Sequence, residues 1–167
     1  MYIPFQNIDD HARIWIFQAN RKFNSSESKI ISDALSTFSE GWLVHNSPMP
    51  ASFDLRYDQF IVLAADEQAN SASGCSIDDS VRTIKNLGQE LSIDFFDRTQ
   101  IAFKKGEHVF TVPLSDLKTK LAEGIWNHET LVFNNLVTIK RDLNQTWLVP
   151  AGSTWLKRYL SHQPMIG

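Results

Sequence analysis

"ASFDLRYDQFIVLAADE" (residues 51–67) contains two strands and the turn between them. Phe53, Leu55 and Tyr57 alternate with Asp54, Arg56 and Asp58, the period of two expected of a strand with one face in water. "FIVLAA" (60–65) is apolar without a break, as in a strand covered on both faces. Between them "YDQF" leaves room only for a tight turn. An edge strand therefore hairpins into a central one.

The flanking segments extend this pattern. In "RIWIFQAN" (13–20), Ile14 and Ile16 face one way and Trp15 and Phe17 the other, so this too reads as a central strand. "SSESKIISDALSTFSEGWLVHN" (25–46) predicts a helix capped by Ser25 or Ser26, with Ile30, Ile31, Ala34, Leu35, Phe38 and Trp42 at helical spacing. Pro48 and Pro50 stop it. Residues 77–91 predict a second helix, with Val81, Ile84, Leu87 and Leu91 on one face. A last strand is expected over Ile93–Phe103, interrupted near Asp97. The order is strand, helix, strand, strand, helix, strand, with inner strands first and third. That is the α+β, ferredoxin-like βαββαβ plait, whose first and third strands are parallel neighbours. A meander with two loosely packed helices is the competing arrangement.

A C-terminal hairpin/helix extension follows. "IAFKKGEHVFTVP" (101–113) predicts a hairpin turning at Lys105–Gly106. A short helix over 114–124, a strand over 129–139 and a terminal helix over 153–160 complete it. No Gly/Ser- or Pro-rich linker separates 103 from 114. One domain is expected across 1–167, with a core of about 12–103 and an extension of about 104–167.

The bulk composition excludes several classes. Of 167 residues, 16 are Lys or Arg and 19 are Asp or Glu, so no broad basic field invites nucleic acid. A single cysteine, Cys75, excludes an internal disulfide framework and Cys-rich zinc motifs. The start "MYIPFQNIDDHARIW" does not read as a signal peptide, and no apolar run reaches the ~20 residues a membrane span needs. A cytoplasmic protein without a membrane span is expected.

Motifs for common chemistries are missing. The chain has no G-x-x-x-x-G-K-[ST], G-x-G-x-x-G, H-E-x-x-H or G-x-S-x-G. The five histidines are scattered without an i, i+4 pair, so neither metal nor cofactor is expected; "DDH" (9–11) reads as an exposed polar start before a strand. Cys75 lies in "SASGCSIDD" (71–79). With Ser76 as N-cap and Asp79 as its capping-box partner, the sulfur sits just outside a helix N-terminus, where the dipole favours a thiolate and Asp78 and Asp79 oppose it.

In the plait, "QANR" (18–21) and "SASGCS" (71–76) leave the sheet at the same edge. Gln18, Asn20 and Arg21 would then face Ser73, Gly74, Cys75 and Ser76, forming a small polar pocket suited to a carboxylate or phosphate. Caps and a sharp turn require the same residue types, with Gly74 supplying backbone freedom. Of the five tryptophans, Trp15 and Trp42 fall on apolar faces, whereas Trp126, Trp147 and Trp155 lie in the extension and are open to association. Plaits often pair into dimers, so a homodimer is an expectation by analogy of fold.

The segments "HARIWIFQANR", "YDQFIVLAADE", "SASGCSIDDSV" and "LVFNNLV" resemble an uncharacterised bacterial family loosely labelled an ABC transporter ATPase. The resemblance covers most of the chain. Neither a Walker A motif nor a transporter signature is present, so it carries over no activity and no catalytic residue. Two functions are expected from the residues themselves. The first is a non-enzymatic cytoplasmic domain that binds a small anionic ligand or a protein partner. The second is a thiol-dependent enzyme or redox sensor with Cys75 as nucleophile and Arg21 as its electrostatic support.

Overall fold

The structure is a computed structural model that describes residues 1–68 and 70–160. The chain forms two compact units, and the first comprises Met1–Asp97 with Asn135–Asp142. Its elements are β1 (Arg13–Gln18), α1 (Ser25–Gly41), β2 (Leu43–Val44), β3 (Ser47–Pro48), β4 (Ala51–Arg56), β5 (Phe60–Ala65) and α2 (Gly74–Leu91). The fold is α+β, as the sequence predicts, but the sheet is not the expected plait. Its order is β1-β5-β4, and every neighbour is antiparallel.

β5 is the central strand, with all six residues fully buried. Burying a Val, Leu or Ile side chain contributes ~1.5–3 kcal/mol, so this strand anchors the unit. The hairpin read from "YDQF" is present. Tyr57 and Asp58 turn it with φ of 57° and 53°, the left-handed pair of a type I′ turn. β1, expected at the centre, is bonded to β5 on one side only. Its outer edge is covered by the returning segment: Ile14 N donates to Thr138 O (2.9 Å) and Lys140 N to Ala12 O (2.9 Å). Covering an edge in this way satisfies backbone groups that would otherwise invite another strand.

α1 begins one residue before the expected caps. Asn24 Oδ1 accepts from Glu27 N (2.8 Å) and Glu27 Oε1 accepts from Asn24 N (2.9 Å), a reciprocal capping box. The helix ends at Gly41 and not at 46, because His45 and Asn46 (φ 51° and 64°) turn the short β2–β3 hairpin. Trp42 closes α1 and is buried; its Nε1–H donates to Ser76 O (2.9 Å) in the first turn of α2. Ile31, Leu35, Trp42, Ile61, Leu63, Ile84 and Leu87 share one core with Ile93 and Phe95. Those last two alternate as in a strand, yet no strand forms before Gln100. The backbone there bonds instead to Asn20 and to the end of α2.

The second unit comprises Arg98–Asn134 and the described residues from Leu143 on. The first boundary between the units falls after Asp97. This unit holds β6 (Gln100–Lys105), β7 (His108–Pro113), α3 (Leu117–Ala122), β8 (Leu131–Phe133), α4 (Leu143–Thr146), β9 (Leu148–Pro150) and α5 (Lys157–Leu160). The antiparallel sheet runs β7-β6-β8-β9. Expected strand four thus becomes β6, the first strand of a separate sheet. Its hairpin with β7 turns at Gly106 (φ 56°), as read from the sequence. The strand expected over 129–139 is shortened to β8, since Asn135–Asp142 returns to the first unit. Phe103, Leu117, Trp126, Val132 and Leu156 form the core of the second unit. Trp126 is fully buried, with Nε1–H donating to Leu117 O (2.9 Å), and Trp147 packs at 4.9 Å on Phe133. Both are therefore core residues rather than association surfaces. No helix among the described residues is long and apolar enough to cross a membrane.

Candidate functional site

The antiparallel pairing of β1 with β5 separates the two loops expected to form a pocket. Gln18 lies opposite Phe60, where β5 begins, whereas "SASGCS" follows the end of β5 at Ala65. A six-residue strand at ~3.3 Å per residue puts these ends roughly 17 Å apart. Each polar side chain of "QANR" has a partner outside the expected pocket. Asn135 Nδ2 donates to Gln18 Oε1 (2.9 Å), and Asn20 Oδ1 accepts from Asp94 N (2.9 Å). Arg21 donates to both Glu27 oxygens (3.0 and 2.8 Å) and to Leu91 O (2.8 Å) at the C-terminal end of α2. It is a cation answering a helix C-terminus and a bidentate clamp on α1. The Arg21 hydrogen bonds, followed by the Asn24 N–H, pull the Glu27 carboxyl down to about 2. Arg21 is thus committed at the end of α2 opposite Cys75, so the thiol reading loses its electrostatic support.

At the other end of α2, Ser73 is the N-cap, and its Oγ accepts from Ser76 N (3.1 Å). Ser76, the expected cap, is buried in the first turn and donates from Oγ to Ser73 O (2.9 Å). Cys75 is exposed and is the second residue of the helix, not a residue outside it. This shift carries Asp78 and Asp79 out of the first turn, and Arg82 pairs with Asp79 at 2.9 Å. A Cβ on Gly74 would meet nothing within 4 Å and its φ is not in the left-handed region, so the glycine is not required for the turn. "DDH" closes locally: Asp9 Oδ1 accepts from His11 N (2.7 Å), which lowers the Asp9 carboxyl below its usual range. Among the described residues no group of His, Cys, Asp and Glu side chains is placed to hold a metal.

The second unit holds an open cavity of about 960 Å³. It is built where the β8–β9 ladder continues past its strands. Ala151 N donates to Thr130 O (2.8 Å) and Gly152 N to His128 O (2.9 Å). The approach is close at Gly152, where a Cβ would lie 3.0 Å from His128 Cβ and 3.1 Å from His128 O and would press on His128. The turn then locks itself: Ser153 Oγ donates to Pro150 O and Thr154 Oγ1 to Ala151 O, both at 2.7 Å. From this turn Trp155 projects, 46% exposed, into the cavity wall.

Trp155 is held from behind. Its ring meets Tyr159 edge-on at 6.2 Å, and Tyr159 meets buried Trp126 edge-on at 6.3 Å. Trp126 stacks on Phe103 at 5.4 Å, and Phe103 on Phe110 at 5.5 Å. The exposed indole is thus the outer end of a row of rings rooted in the core. The Arg158 guanidinium lies 5.0 Å from the Trp155 ring centre and 5.6 Å from that of Tyr159, and Lys157 is exposed on the same wall. The same cavity is lined by the Glu129 carboxylate, 3.8 Å from His128 Nε2. Among the described lining residues, two cations and one carboxylate lie beside an exposed aromatic ring. Sequence reading named Trp155 but could not single it out from Trp126 and Trp147. The available signal was "WLKRY" (155–159), in which two cations sit between two aromatic residues.

Comparison with known proteins returns no match: no protein-family model, no curated protein and no solved structure is similar to this chain at a significant level.

Proposed function

We propose that this chain is a cytoplasmic, non-enzymatic binding protein that holds a small anionic ligand in the groove of its second unit. The observation that carries the reading is the fixed, exposed Trp155 ring beside Lys157 and Arg158. Ligand sites are concave, mostly apolar and furnished with a few convergent polar groups, with volumes of ~300–1,000 Å³. The cavity here is wide open, but its lining is mostly apolar and its volume lies in that range. An aromatic side chain held in place before binding also lowers the ordering entropy that association must overcome. Among the described lining residues, Lys157 and Arg158 set two positive charges against Glu129, a balance that favours an anion, and the aromatic wall strengthens that attraction relative to open water. Among the described lining residues the Ser153 hydroxyl is turned to a backbone carbonyl, to which it donates, and not to a base.

Thermal unfolding tests the reading, with sodium phosphate and sodium benzoate as probes at constant ionic strength. At a ligand concentration ten times the dissociation constant, native-state binding adds about 1.4 kcal/mol and raises the midpoint. The expected result is stabilisation by at least one anion that is lost in the double variant Lys157→Gln, Arg158→Gln. No stabilisation by either anion, or stabilisation unchanged in that variant, would sink the proposal.

A further inference from the structure

One side chain on the wall of the groove belongs to the residue type that changes charge near neutral pH. We infer that the groove is proton-linked: a proton on His128 tightens its hold on an anion. The inference rests on the groove being an anion seat. His128 and Glu129 lie side by side on its wall, with His128 Nε2 3.8 Å from a Glu129 oxygen and both side chains largely exposed. The backbone that carries them is held on both sides. Asn127 Oδ1 accepts from Glu129 N (2.8 Å) and Thr130 N (3.2 Å), and Thr130 Oγ1 accepts from Asn127 N (2.9 Å). Across the groove wall, His128 O accepts from Gly152 N at 2.9 Å. Among the described lining residues, the charged and titratable groups are His128 and Glu129 on this turn and Lys157 and Arg158 on α5; the Pro150–Ser153 turn between them adds none. Carboxylate, ammonium and guanidinium groups keep their charge between pH 5.5 and 7.5, whereas imidazole gains a proton as pH falls through that interval. The contributions of Glu129, Lys157 and Arg158 therefore cancel between the two ends, whatever else each of them pairs with. What remains is one added positive charge. It attracts an anion in the groove directly, and it draws in the Glu129 carboxylate, which opposes one.

The test reads affinity against pH. Calorimetric titrations of the full chain at one low, fixed ionic strength use sodium benzoate and sodium sulfate, whose charges do not change between pH 5.5 and 7.5. One unit charge several ångströms from the ligand in a largely hydrated site is expected to make at least one of them bind about threefold or more tighter at pH 5.5. His128→Asn should remove that dependence. Linkage is reciprocal, so a bound anion must favour the protonated His128 by the same factor. In wild type, the His128 imidazole signal, assigned through its backbone, should therefore take up its proton at higher pH with anion bound than without. If the asparagine variant loses its near-ultraviolet signature, this wild-type difference decides. Equal affinity at the two pH values overturns the linkage and leaves the groove an anion seat. A pH dependence that survives His128→Asn, or a His128 signal that titrates identically with and without bound anion, overturns it as well. No binding of either anion at either pH removes the seat itself and the linkage with it.

Discussion

Arg21 holds Glu27 with both terminal nitrogens and reaches the last carbonyl of α2 with one of them. The consequence is a pH dependence of known sign. The folded Glu27 carboxyl sits at about 2, below its ordinary value of 4.5, so the native state binds fewer protons than the unfolded chain between those values. The stabilisation is fully present above 4.5 and is lost as pH falls through about 2. Denaturant titrations of wild type and Glu27→Gln at pH 6, 4 and 2.5 should show the wild-type advantage shrinking toward acid. Parallel pH profiles would show that the clamp is not formed. In sequence, Gln18 and Asn20 beside Arg21 suggest a polar site. The true partner of Arg21 was hidden because Leu91 is 70 residues away. Glu27 could be anticipated from Asn24, since an N-cap residue followed three positions later by Glu is a legible capping box.

α2 shows what periodicity does and does not convey at the level of an element. Its apolar face was legible from Ile84 and Leu87, but its start was not, because Ser73 and Ser76 are both good caps three residues apart. Its end depends on two positions. Ser92 adopts the left-handed conformation (φ 55°), and Ile93 N returns to Gly88 O at 3.0 Å. A Cβ on Gly88 would fall 2.5 Å from Ile93 O, which is backbone and cannot swing aside. Gly88→Ala should therefore destabilise by ~1–3 kcal/mol despite the better helix propensity of alanine. Ser92→Gly should stabilise by ~0.5 kcal/mol, as relief of the left-handed strain outweighs the added backbone entropy. Urea unfolding midpoints decide both signs; a stabilising Gly88→Ala would contradict the described helix end. The β4–β5 hairpin was readable for the opposite reason, since alternation, an apolar run and a turn lie within 17 contiguous residues. The direction of β1 against β5 was not. An apolar six-residue strand carries no mark of whether its neighbour is parallel, and the short β2–β3 hairpin changes the approach of β4.

Over the whole chain, no linker marks the division into two units. Ile93 and Phe95 alternate into the core of the first unit, and β6 starts the second sheet five residues later. The second unit also carries the candidate site, although the sequence pointed to the first. Caps and turn residues in "SASGCS" resemble an anion pocket in type, while exposure of Trp155 depends on burial of Trp126 and Trp147 that only packing reveals. We propose that ligand binds in the groove at Trp155. The most direct test is the indole N–H region of a ¹H–¹⁵N correlation spectrum during titration with benzoate, the Trp155 signal being assigned by its loss in Trp155→Phe. Trp42 and Trp126 donate to buried carbonyls and serve as internal controls. The Trp155 signal should move in proportion to occupancy while those of Trp42 and Trp126 stay in place. A stationary Trp155 signal at saturating benzoate, or a shift confined to Trp42, would contradict the account.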